Sequence, residues 1–133
     1  MDVIYCKKEY LTIYLCQAKN YIMFKWQRFG IPVSQLKEAH QTALVTATEN
    51  NIPNYMAETS EATETLLPTS LQWWAQIWVP KLQSSVIKTI VTVVPHSALA
   101  SFSTKDWQAV NFDNITLQNA KTVAEAEALL APR

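Results

Sequence analysis

The stretch Leu11-Thr12-Ile13-Tyr14-Leu15-Cys16-Gln17-Ala18-Lys19-Asn20-Tyr21-Ile22-Met23-Phe24-Lys25-Trp26 decides the fold. Leu11, Ile13 and Leu15 alternate with Thr12, Tyr14 and Cys16, and Ile22, Phe24 and Trp26 alternate with Tyr21, Met23 and Lys25. Period-two alternation marks a strand with one apolar face. The two runs read as a β-hairpin within Leu11 to Arg28. Placing Gln17 opposite Asn20 sets Leu15 against Ile22, Ile13 against Phe24 and Leu11 against Trp26. All six then share one face, and a one-residue slip would turn one strand's set away from the other's. The turn lacks Asn-Gly, so its type stays open.

Working outward, Gly30-Ile31-Pro32 breaks the strand. Val33, Leu36, His40, Ala43, Leu44 and Ala47 recur at helical spacing up to Asn50-Asn51, a C-terminal stop. Ile52 to Glu58 is a short strand and Thr59 to Pro68 a polar loop. Thr69, followed by Gln72, has the form of a capping box opening a helix to about Ser84, with Ser70 as a second cap candidate. Val86 to Val94 is a β-branched run suited to a strand covered on both faces. A helix follows around Ser97 to Val110, with Ser103 and Asp106 as a further cap pattern; Ile115 to Asn119 is a last strand. Thr122 with Glu125 caps a final helix through Leu130. Strands alternating with helices imply parallel pairing by right-handed crossovers. The expectation is an α/β domain over 1–133, with a mixed sheet of about five strands (an N-terminal antiparallel hairpin, the remainder parallel) and about four helices. The first ten residues either add a strand or cover the tryptophan-rich helix.

The chain has 133 residues, 49% of them hydrophobic, enough for one core without staples. Eleven Lys+Arg balance eleven Asp+Glu. No basic field is present to attract nucleic acid or an anionic membrane surface. Cys6 and Cys16 form no CxxC and read as buried thiols of a reducing compartment. Met1-Asp2-Val3-Ile4-Tyr5 lacks the basic start and apolar run of a signal peptide, and no stretch approaches ~18 uninterrupted apolar residues. The expected location is the cytoplasm, without stable membrane association. Gly30 is the single glycine, which excludes a glycine-rich phosphate cradle. No catalytic set, metal cluster or cofactor motif stands out, and the expectation is a chain that is not an enzyme.

The order of elements resembles that of the STAS-like domains, named for sulphate transporters and anti-sigma-factor antagonists, and more narrowly a small bacterial branch described as STAS-like or Sec14-like. The residues that carry the likeness are Tyr21 to Trp26, Trp73-Trp74-Ala75-Gln76-Ile77-Trp78-Val79-Pro80-Lys81-Leu82, the strand through Pro95, and Thr122-Val123-Ala124-Glu125-Ala126. The resemblance implies a regulatory module that binds protein partners. In the antagonists a Ser or Thr at the start of the second long helix is phosphorylated, presented by a D-S-x-G-like loop. This chain departs from that loop, with Glu58-Thr59-Ser60 and no following glycine. Thr69 and Ser70 are the phosphoacceptor candidates here, since Glu58, Glu61 and Glu64 would repel a phosphate at Thr59 or Ser60.

Three features need a role. At 100° per residue Leu71, Trp74, Ala75, Trp78 and Leu82 fall on one helical face and Trp73, Ile77 and Pro80 on the other. Trp73, Ile77 and Pro80 thus form a candidate interaction surface, for a homodimer or a regulatory partner. The other readings of that side are a cover from the first residues of the chain or the wall of a ligand cleft. Pro80 also leaves the carbonyl of Gln76 unpaired and predicts a kink. Glu58 and His96 belong at the carboxyl ends of neighbouring strands, where open α/β sheets place ligands, and are candidates for binding a small molecule or lipid. His40 sits mid-helix on the apolar side and reads as a packing residue.

Overall fold

The computed structural model describes residues 2–110 and 112–131. Six strands form one sheet in sequential order: β1 (Asp2–Lys7), β2 (Leu11–Cys16), β3 (Tyr21–Trp26), β4 (Asn54–Glu58), β5 (Thr89–Val93) and β6 (Thr116–Ala120). The first three are antiparallel neighbours and the rest pair in parallel. The β2–β3 register is the one expected, with Leu11 opposite Trp26, Ile13 opposite Phe24 and Leu15 opposite Ile22. The turn between them is a short 3-10 segment, Gln17–Lys19, closed by Asn20 in the left-handed region (φ 64°). Asparagine tolerates that conformation well. The sixth strand lies in the first ten residues. Its pairing with β2 shifts between Ile4 and Cys6, so the period-two signal is broken in mid-strand.

Because β3 to β6 run in parallel and in order, right-handed crossovers place every connecting helix on one side of the sheet. Those connections are α1 (Val33–Glu49), the tryptophan helix, and α4 (Ala98–Gln108). The main core lies between them and the even-numbered side chains Ile22, Phe24, Trp26 on β3 and the odd-numbered Tyr55 and Ala57 on β4. The last helix, α5 (Val123–Leu130), covers the other face, packing Ala126 on a smaller cluster with Met23, Met56, Val91, Val93 and Ala120.

The tryptophan helix is not one α-helix. It runs as α2 (Pro68–Trp73), a π-helical turn (Trp74–Trp78) and α3 (Val79–Gln83). Pro80, in the first turn of α3, supplies no N–H. The wider i→i+5 turn just before it, in which the Val79 N–H bonds Trp74 O, absorbs the break. Two expected caps are corrected. The helix begins with Pro68 at its first position and no side-chain cap, so Thr69 lies inside the first turn. Ser103 lies within α4, whose cap is Ser97 accepting from the Ala100 N–H at 3.3 Å. The cap on α5 is as expected, with Thr122 Oγ1 accepting from the Glu125 N–H at 3.1 Å.

Candidate functional site

His40 is the hub of the main core. Its mid-helix position on α1 aims the ring at the sheet, where it meets Phe24 (ring centroids 4.7 Å apart), Trp26 (6.1 Å), Tyr55 (6.5 Å), Trp73 (5.7 Å), Trp74 (5.8 Å) and Trp78 (5.5 Å). The residue is 2% exposed. Nδ1 lies 2.9 Å from Leu36 O one turn back on the same helix. A carbonyl only accepts, so Nδ1 carries the proton and Nε2 the lone pair. Burial drives the imidazole pKa down to about 4, against a small opposing effect of the Leu36 carbonyl, and the ring is neutral at physiological pH.

Beside His40 is a cavity of about 40 Å³, walled by Trp26, Phe29, Tyr55, Ala57, Trp74 and Trp107 among others. It lies where β3 and β4 end at their carboxyl edge, with Thr59, Leu66 and Ser70 also on its wall. That is the position at which open α/β sheets accept ligands. A second space of about 10 Å³ is lined by His40, Tyr55, Trp78 and Leu82 among others. Trp78 Nε1 is a buried donor with no partner. Trp74 Nε1, by contrast, donates to Trp107 O at 3.1 Å and fastens the π turn to α4.

The loop after β4 closes over this end and is held on two sides. The Thr63 N–H donates to Gln27 O and the Phe29 N–H to Thr63 O, at 3.1 and 2.9 Å, continuing the β3–β4 pairing past the strands. The Leu66 N–H donates to Ser103 Oγ at 2.8 Å, tying the loop to α4. Glu64, at φ 68°, accepts from the Gly30 N–H, and a Cβ at position 30 would collide with the Glu64 carboxylate. The lone glycine therefore serves a close approach and not a phosphate cradle. Arg28 sits between Glu64 and Glu9.

Trp73 is 7% exposed and stacked on Trp78, so it belongs to the core and leaves the expected interaction surface; Ile77 and Pro80 remain exposed. The assumed 100° rotation per residue fails across the π turn. Glu58 is buried on the opposite sheet face from the cavity, beside Tyr14, Met23, Lys25 and Val123, and its Oε1 takes two hydrogen bonds from Ser60. His96 has an exposed side chain, with its backbone N–H on Ser60 O. The residues that line the cavity at the strand ends are Trp26, Tyr55, Ala57 and Thr59, one step out of phase with Glu58. Ser70 is fully buried, its hydroxyl donating to Ile31 O at 3.4 Å, and is out of reach of a kinase in this fold; Thr69 is exposed.

Among the described residues there is no group of three His, Cys, Asp or Glu placed to hold a metal, and no helix long and apolar enough to cross a membrane. Fold and cavity define a mixed-sheet α/β domain with a helix-covered aromatic core open at the strand ends. No family model, curated protein or solved structure matches the chain.

Proposed function

We propose that this chain is a non-catalytic, regulatory interaction module that pairs with a second copy of itself through the outer face of α4. One observation carries the reading. Among the described residues six large hydrophobic side chains are exposed; two of them, Leu99 (58%) and Phe102 (63%), stand one turn apart on α4, and a third, Leu67, belongs to the loop tied to that helix. Leu67 follows the residue whose N–H is bonded to Ser103, Phe102's neighbour. Such a cluster marks a contact surface more than scattered apolar residues do. Zero formal net charge leaves no long-range repulsion between two copies and no attraction for nucleic acid. The thiols of Cys6 and Cys16 suit a cytoplasmic setting. Native mass spectrometry and light scattering test the reading. The expected result is a dimer that Phe102→Glu converts to a monomer with an unchanged circular dichroism spectrum. A monomeric wild type throughout the micromolar range would sink it.

The cavity at the carboxyl ends of β3 and β4 supports a second reading, a small-molecule-binding domain. Its lining is aromatic and its position is the one α/β sheets use for ligands.

A further inference from the structure

Deepening the second reading, and resting on it, we infer that the strand-end cavity is a site for a small, uncharged molecule bearing one hydroxyl group, of the size of a short-chain alcohol. Three properties of the wall select that class.

Size comes first. The cavity offers about 40 Å³. A water needs roughly 10–15 Å³ of such space, so the room suits about three or four heavy atoms.

Charge comes second. No Asp, Glu, Lys or Arg lines the cavity, and the walls are Trp26, Phe29, Tyr55, Trp74 and Trp107 with smaller apolar groups. An ion placed there would lose its water and gain no counter-charge. A neutral molecule loses little.

Hydrogen bonding comes third. The Thr59 hydroxyl gives its proton to Val93 O at 2.6 Å and the Ser70 hydroxyl to Ile31 O at 3.4 Å. Burial holds the Tyr55 hydroxyl in its neutral form, with the neighbouring Trp26 side chain opposing in part. His40 differs. Its Nδ1 is turned back on its own helix at Leu36 O, and the rest of the ring, Nε2 included, is left to line both spaces. Nε2 is an acceptor, and the imidazole stays neutral because burial disfavours its charged form. A guest that donates one O–H to Nε2 and lays its carbon atoms on the indoles matches both the acceptor and the apolar wall. An ether, a carboxylate or an ammonium ion does not.

The test titrates 2-propanol into the intact protein labelled with ¹⁵N at histidine, with xenon as an apolar probe of similar bulk. The expected result is a saturable change in the His40 Nε2 resonance toward a hydrogen-bonded acceptor, with quenching of tryptophan fluorescence. His40→Leu should lose the alcohol response and keep xenon. Phe102→Glu should keep both, since it lies on the pairing face. Xenon binding with no alcohol effect on Nε2 overturns the hydroxyl-bearing ligand and leaves the strand-end pocket standing. Failure of both probes overturns the pocket reading as well. If His40→Leu does not fold, the wild-type Nε2 resonance decides alone, and an unmoved signal refutes the assignment.

Discussion

The indole rings of Trp73 and Trp78 are stacked, with centroids 5.2 Å apart and planes 22° apart. Five residues of regular α-helix would turn them by about 140° relative to one another. The π turn between them brings both to the same side, and each meets the His40 ring edge-on, at 5.7 and 5.5 Å. The pair therefore belongs to the core that α1 and the sheet enclose. Trp73→Ala should cost about 3–5 kcal/mol, as buried tryptophans do. A tryptophan on the solvent side would change stability by less than about 0.5 kcal/mol. Urea unfolding followed by circular dichroism separates the two, and a loss below about 1 kcal/mol would place Trp73 outside the core.

His40 should make the fold sensitive to mild acid. Its folded pKa, about 4, lies below the ordinary 6.5 because burial excludes the charged ring. Between these values the unfolded chain binds a proton that the native chain refuses. The contribution is complete above about pH 6.5 and is lost as pH falls toward 4. The difference corresponds to roughly 3 kcal/mol. Among the rings that face His40, Tyr55 is the one that titrates, and burial raises its pKa away from this range. Denaturant midpoints measured from pH 7.5 to pH 4.5 should fall more steeply in wild type than in His40→Leu. Parallel curves for the two proteins would mean that His40 does not govern the slope.

Two threonines that look alike in the sequence should behave differently. Thr122 accepts from the Glu125 N–H and caps α5, so Thr122→Ala should cost about 1 kcal/mol. Thr69 is exposed within the first turn of α2, after Pro68, and Thr69→Ala should stay within about 0.5 kcal/mol of wild type. Thermal unfolding of both variants is sufficient. Equal losses would mean that Thr69 caps its helix after all.

That contrast shows what the sequence could specify. The β2–β3 register was readable because six apolar residues alternate with polar or smaller ones and leave one pairing that keeps a single apolar face. The Thr122 cap was readable because nothing competes with it. Thr69 misled because Pro68 is itself a favoured first helical residue and moved the cap position from Thr69 to Leu67. Trp73 misled because a helical wheel assumes a constant rotation, and the π turn before Pro80 changes it. At the end of β4, Tyr55, Met56 and Ala57 are all buried, so the strand carries no parity signal and the choice between Glu58 and Thr59 for the cavity side was open. The parity follows from β3, where Phe24 pairs with Ala57 and Ile22 with Tyr55, a cross-strand relation that a single sequence does not display. Trp107, on α4, lies 48 residues after Thr59 in number and joins it on the cavity wall only once the crossovers are in place.

Ser103 is the residue through which the loop over the cavity is joined to α4. Its side chain is 1% exposed, and its oxygen accepts from the Leu66 N–H at 2.8 Å. Ser103→Ala removes the acceptor and leaves a partly buried backbone donor unpaired, which should cost about 1–3 kcal/mol. The loss should be local. Thr63 keeps its pairing with the Gln27 and Phe29 backbone on the far side of the loop, so hydrogen exchange should quicken at Leu66 and remain slow at Phe29. Loosening this side should also speed the entry of xenon or 2-propanol into the cavity, because Leu66 forms part of its wall. Uniformly faster exchange at Leu66 and Phe29 would show that the loop opens as one unit and that the bond to Ser103 is not an independent latch.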